Sequence, residues 1–268
     1  MNEGAALGAG HSRAALPTRR ALLALWLGAG AATAQTLASS PAKPARRAPP
    51  ATAPVRLPPS TTLDYVVSGR ANKLPFTTRA QLQWQHGTTD YRLAWVVNVP
   101  LLGPRTQRSE GAVTPAGLVP ERYTESARRE RSAHLDRAAG RIHFSGGQPS
   151  AAWQPDTQDR LSTSLQLGAL LAAAPERYRP GTVITVHTSG VRDAEPWQWR
   201  VLPDETLQVA GRGVPTARLA RLPRKPDDTE LQLWLGRTLD YLPVRLRMTD
   251  EGNEYIDQRL SAWPTGRP

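Results

Sequence analysis

His134 and His143 flank the segment Leu135 to Ile142. A four-residue loop from Arg137 to Gly140 would set the two imidazoles directly opposite each other on a hairpin, close enough to share a metal ion. No third ligand with recognisable spacing accompanies them, so they read as a pair on an exposed strand face. His86 falls in a turn, and His187 alternates with Ile184 and Val186 and so points toward solvent. Asp227, Asp228 and Glu230 follow Pro226, but neighbouring carboxylates in water need not share a proton. They read as a solvated turn. Ser162 and Ser164 stand beside no histidine in sequence. The chain has no Gly-x-Ser-x-Gly elbow, no His-Glu-x-x-His and no glycine-rich phosphate loop. With no cysteine at all, thiolate chemistry is excluded. No catalytic residue, metal site or cofactor is expected.

Tryptophan is the remaining feature. Seven of the eight lie beyond the first 34 residues, against two phenylalanines in the whole chain. Trp84, Tyr91 and Trp95 share one face of an expected hairpin. Trp197 and Trp199 share one face of "PWQWRV", and Trp234 follows in "LQLWLG". These six side chains either form the core of a sheet or line an apolar ligand cavity, the way large cavities in β scaffolds are built.

The elements that would position them are strands. In residues 238 to 260, Leu242, Val244, Leu246 and Met248 alternate with polar neighbours, the period of two of a half-buried strand. With Glu251, Gly252 and Asn253 as the loop, the returning strand sets Ile256 opposite Met248, Gln258 opposite Leu246 and Leu260 opposite Val244. On the other face Asp257 meets Arg247 as an exposed pair. A second hairpin over residues 76 to 99, turning at Gly87-Thr88, would set Trp84 opposite Tyr91, Leu82 opposite Leu93 and Ala80 opposite Trp95.

Further strands are expected at 61–70, 105–113, 121–127, 131–136, 141–145, 182–188, 196–202, 205–210, 216–222 and 229–235. Short alternating runs with turns between them specify an antiparallel meander. One amphipathic helix interrupts it, capped by Asp156, with Asp159 near its positive end and Leu161, Leu165, Leu167, Leu170 and Leu171 along it. Pro175 stops it. The fold class is mainly β: a single antiparallel sheet with one helix that lies across one face or plugs the mouth of a curved sheet.

The N-terminus sets the compartment. Arg13, Arg19 and Arg20 precede the apolar run "ALLALWLGAGAA", and Ala32 and Ala34 precede a cleavage point at Gln35, the form of a secretory signal peptide. The run is shorter than the roughly 20 residues of a membrane span. The adjacent arginines fit either general or twin-arginine export. Residues 1–34 are thus expected to be removed, and lack of cysteine excludes a lipoprotein. Residues 35–60 carry seven prolines and few large apolar side chains, a disordered tether before a β domain over 61–265. Of the net charge of +11, signal and tether hold most. Residues 61–268 keep 27 basic against 22 acidic side chains, spread along strands, so no nucleic-acid partner is expected.

Gly117-Leu118-Val119-Pro120-Glu121-Arg122-Tyr123, the His134 to Phe144 hairpin, Asp159-Arg160-Leu161-Ser162 and Tyr241-Leu242-Pro243-Val244-Arg245-Leu246-Arg247 together resemble the exported bacterial family known as domain of unknown function 3108, over about residues 62–262. The resemblance implies a mostly β domain built as a strongly curved sheet, a half-barrel or open barrel akin to the half-barrels of the periplasmic lipoprotein carriers LolA and LolB, and brings no catalytic residues. Two functions follow. One is a non-enzymatic periplasmic carrier of a lipid or other amphipathic molecule, which requires an accessible apolar hollow. The other is a structural or interaction domain of the envelope with a filled core and a protein partner.

Overall fold

The computed structural model describes residues 54–71, 73–99, 103–250 and 254–264. The expected signal peptide, most of the tether and the loop Glu251, Gly252 and Asn253 lie outside the described residues.

Among the described residues, fifteen strands form one sheet. The first eight are β1 (Thr61–Ala71), β2 (Leu74–His86), β3 (Asp90–Val99), β4 (Gly103–Thr114), β5 (Gly117–Ser126), β6 (Glu130–Asp136), β7 (Arg141–Phe144) and β8 (Ala151–Ala152). After β9 (Gln158–Asp159) the chain enters the single α-helix, α1 (Ser162–Ala173). It continues through β10 (Val183–Ser189), β11 (Ala194–Val209), β12 (Arg212–Arg221), β13 (Glu230–Gly236), β14 (Leu242–Asp250) and β15 (Glu254–Leu260). The spatial order is β8-β7-β6-β5-β4-β3-β2-β1-β15-β14-β13-β12-β11-β10-β9. First and last long strands therefore pair at the centre, and the sheet stays open along one seam between β8 and β9. All strand pairs are antiparallel except β9 with β10. Both edge strands have only two residues, which leaves little backbone for a foreign strand to pair with.

Alternation decides the faces. Leu63, Tyr65 and Val67 of β1, Ala80, Leu82 and Trp84 of β2, and Leu93, Trp95 and Val97 of β3 are all buried, and residues between them face out. The terminal hairpin has the expected register, with Met248 opposite Ile256, Leu246 opposite Gln258 and Arg247 opposite Asp257. Its ion pair differs. Asp257 is buried, and it accepts hydrogen bonds from Arg245 (2.8 and 2.7 Å) and Arg259 (3.1 and 3.0 Å). Arg247 instead lies over the Tyr255 ring. The diagonal Arg245 binds both carboxylate oxygens and Arg259, two residues along the same strand, adds two bonds to Oδ2, which together shield the carboxylate from water better than one opposite cation.

The β2–β3 hairpin keeps its faces but not its partners. Trp84 pairs with Leu93, Leu82 with Trp95 and His86 with Tyr91. Gly87 N–H bonds to Asp90 O, so Thr88 and Thr89 make the turn and the register moves by two, which leaves each side chain on its original side. The strands expected at 196–202 and 205–210 are one continuous β11, bent by a register shift between Leu202 and Glu205. Pro203, which cannot donate to a ladder, sits at the irregularity.

Helix α1 corrects two expectations. Its cap is Asp159, not Asp156: Asp159 Oδ1 accepts from the N–H groups of Leu161 (2.9 Å) and Ser162 (2.8 Å). Asp156 is exposed, in a turn with φ of 65°. Nor is the helix amphipathic. Leu165, Gln166, Leu167, Gly168 and Ala169 are consecutive and all buried, because the curved sheet wraps the helix rather than meeting it along one stripe. Gln166 clips it to the start of β5, accepting from Leu118 N–H and donating to Ala116 O (both 2.9 Å). Gly168 lies so close to Tyr241 O that a Cβ there would be 2.5 Å away. The last tether residues are seated on the same end. Val55 N–H bonds to Pro115 O, Arg56 N–H to Ala169 O, and buried Pro58 accepts the Trp84 indole N–H at 2.8 Å.

Candidate functional site

Inside the sheet, beside the N-terminal turn of α1, a hollow remains. The unfilled space totals about 560 Å³, counting the part open to solvent. Its apolar wall includes Leu82 and Trp95 from β2 and β3, Leu233 and Leu246 from β13 and β14, and Trp199 from β11. Leu246 faces inward yet is only half-buried, so the hollow reaches solvent on that side. Thr163 and Ser164 of the helix also line it, but their hydroxyls donate to the carbonyls of Asp159 and Leu161 just before it, at 2.7 and 3.1 Å. Tyr65 donates to Pro243 O at 2.6 Å.

Three side chains in this wall are different. Gln107, Trp199 and Gln258 are 4 %, 2 % and 3 % exposed. Both ends of the Gln107 amide, the Trp199 Nε1 and the Gln258 Nε2 are buried with no hydrogen-bond partner. Buried polar atoms of folded proteins are overwhelmingly paired, so a group of unmatched ones along a single cavity needs an explanation. Arg160 lines the same space and holds Asp193 at 3.1 Å.

A second buried polar group adjoins the helix start, and it is fully paired. Asp159 is fully buried. Besides the two helix N–H groups, its carboxylate accepts from Ser109 Oγ (2.5 Å), and Ser109 Oγ meets Tyr91 OH at 2.8 Å. Asp159 N–H bonds back to Ser162 Oγ at 3.0 Å. Burial pushes the Asp159 carboxyl up to about 6, against the pull of these hydrogen bonds. Nearby, burial also raises Glu125, opposed by the Arg160 charge, and Glu125 Oε1 accepts from Tyr123 OH at 2.8 Å.

Of the six aromatic candidates, Trp95 and Trp199 border the hollow. Trp84 and Tyr91 pack against each other as core, with ring centroids 5.8 Å apart. Trp197 is core beside Trp199, with Arg221 over its ring at 4.6 Å. Trp234 is on the opposite face. Leu231, Leu233 and Leu235 take the inward positions of β13, and the register sets Trp234 between Arg218 and Arg245. Their guanidinium carbons lie 5.3 and 4.4 Å from its ring centroid, and its Nε1 donates to Glu205 at 2.8 Å. Trp234 is buried but does not border the hollow.

The other sequence candidates are structural. His134 and His143 are opposite and exposed. Among the described residues no group of three metal-ligating side chains exists. His187 is not turned to water but half-buried, with Nδ1 2.9 Å from Thr157 Oγ1, and burial lowers its pKa. Asp228 is no solvated turn residue. Burial alone would raise its pKa, but hydrogen bonds from Arg224 and the charge of Arg221 hold it at about 2. Gln258 was visible in sequence as a polar residue between Ile256 and Leu260 on an apolar face. Gln107 and Ser109 were not, because "RTQRSEG" carries no apolar alternation to show which side faces in.

A curved, open β sheet wrapped round one helix, with a residual hollow beside it, defines a barrel-like domain. The chain belongs to the family described as protein of unknown function DUF3108, which matches residues 64–256. None of the curated proteins compared with the chain matches it. Among solved structures it is similar to a beta-barrel-like protein of domain of unknown function DUF1849 from Brucella abortus. The two share 13% identity and a TM-score of 0.51, over 78% of this chain and 98% of that one. A putative outer membrane lipoprotein-sorting protein domain from Vibrio parahaemolyticus matches at 9% identity and a TM-score of 0.28, over 78% of this chain and 87% of that one. A DUF1329 family protein from Desulfovibrio piger gives 9% and 0.27, over 79% and 88%. Only the Brucella structure overlays closely enough to bear on the fold. Among the described residues no helix is long and apolar enough to cross a membrane.

Proposed function

We propose that this domain is a non-enzymatic binding or carrier protein for a lipid or other amphipathic molecule, exported to the periplasm by a cleaved signal peptide. The observation that supports this reading is the hollow itself: an apolar concavity beside α1 that keeps buried, unmatched polar atoms in its wall. A pocket for an amphipathic ligand has that composition, mostly apolar with a few polar groups that fix orientation. A filled structural core has no use for such atoms.

A second reading, an envelope interaction domain reached through the tether, draws support from α1, which occupies most of the interior. Native mass spectrometry of the protein purified from its own periplasm separates the two. Bound lipid that organic extraction removes is expected; a consistently empty protein with a tight polypeptide partner would overturn the carrier reading.

A further inference from the structure

The unmatched atoms are not a random sample of polar groups. They comprise three nitrogen donors, on Gln107, Gln258 and Trp199, and one oxygen acceptor, on Gln107. Indole nitrogen donates and never accepts, and an amide nitrogen likewise only donates. The hydroxyls in the same wall, on Tyr65, Thr163 and Ser164, already give their protons to backbone oxygens. What the cavity lacks is therefore oxygen that accepts. It has no comparable shortage of donors.

Resting on the carrier reading, we propose that the hollow takes a long-chain acyl group, with its carbonyl oxygens placed against Gln107, Gln258 and Trp199. An acyl carbonyl, whether of a free carboxylate or of an ester, offers only acceptors, the complement of this wall. An ammonium group brings only donors and leaves the protein's nitrogens unmet, and an alcohol oxygen accepts but adds a donor of its own to a wall already rich in them. The enclosed space holds the carbonyl end, and the chain leaves past Leu246, the apolar lining residue that reaches solvent. Arg160, in the same wall, makes the position tolerant of a negative headgroup.

The test uses the exported protein after lipid extraction, titrated with four probes of equal chain length: dodecanoate, methyl dodecanoate, dodecanol and dodecylammonium. Binding is followed by the fluorescence of Trp95 and Trp199 and checked by calorimetry. The two carbonyl-bearing probes are expected to bind roughly tenfold or more tighter than the alcohol and the amine, the equivalent of about one well-made hydrogen bond. Gln107→Leu and Gln258→Leu, made separately, are each expected to shrink that preference several-fold. Methyl dodecanoate against dodecanoate tells an ester ligand from a free acid. Equal affinity for all four probes, or a preference that survives both substitutions, overturns the acyl assignment but leaves a carrier of some other amphiphile. If none of the four binds, the carrier reading itself fails and the polar wall is a water site.

Discussion

Two buried polar groups lie within one interior, and they are built on opposite terms. Around Asp159 every partner comes from the chain: Ser109 from β4, Tyr91 from β3, and the first amides of α1. The Gln107 amide, Gln258 Nε2 and Trp199 Nε1 find no partner in the chain. Both sets are more than nine-tenths buried, so solvent does not account for the difference. Polar groups that hold a fold together are matched by that fold, since an unmatched buried donor costs on the order of 1–3 kcal/mol. The first group ties the helix into the sheet. The second leaves buried donors that the fold itself does not match.

The largest effect is therefore expected at Asp159. Asp159→Ala removes the cap of α1 and strands Ser109 together with two amides, and should lower unfolding free energy by roughly 3 kcal/mol in urea titrations. Charge sharpens the point. The carboxyl binds its proton more tightly in the folded protein, near 6, than at its ordinary 3.8. Its contribution to stability is fully present below pH 3.8 and is lost as pH rises through 6, a change of roughly 3 kcal/mol. Asp228 works in the other direction and in another window, since its depressed pKa near 2 withdraws stability only as pH falls from about 4. Asp159→Asn, which keeps an acceptor for the helix amides and carries no charge, should flatten the wild-type slope between pH 4 and 7. An unchanged slope would mean that Asp159 is not the buried titrating group.

Next in size is Gly168→Ala, which tests how firmly the helix closes the hollow. Helix propensity alone favours alanine by about 1 kcal/mol. The added methyl would meet the Tyr241 carbonyl, however, and overpacking costs about 1–3 kcal/mol. A net loss of roughly 1 kcal/mol is expected, with greater quenching of Trp95 and Trp199 by acrylamide as α1 is pushed from its seat. A rise in stability would show that the helix gives way easily, and the contrast between a fixed knot and an open site would weaken.

Sequence carried the sheet far better than the site. Alternation in β14 and β15 fixes a register that the structure shares pair by pair, because one face is apolar and a slip of one residue would invert it. A slip of two inverts nothing, and the β2–β3 hairpin differs by that amount. Aromatic bulk alone does not place a residue at the hollow: Trp234 is buried beneath Arg218 and Arg245 instead. The site is scattered over eight strands and the helix start. Gln107, Trp199 and Gln258 are far apart in the chain, and what they share is the lack of a partner, which only a closed interior defines.

The smallest stability effect expected is the one that bears most on function. Gln107→Leu and Gln258→Leu exchange a buried amide for an apolar side chain of similar volume, and an amide without partners gains nothing from being there. Each variant should keep the wild-type unfolding midpoint within about 0.5 kcal/mol or raise it, against the roughly 3 kcal/mol lost at Asp159. Conservative folding with impaired ligand preference is the pattern of residues retained for binding at some expense in stability. Losses as large as that of Asp159→Ala would mean that ordered water already satisfies both amides as part of the native structure. The two polar groups would then be of one kind, and the hollow would be a hydrated core, not a site.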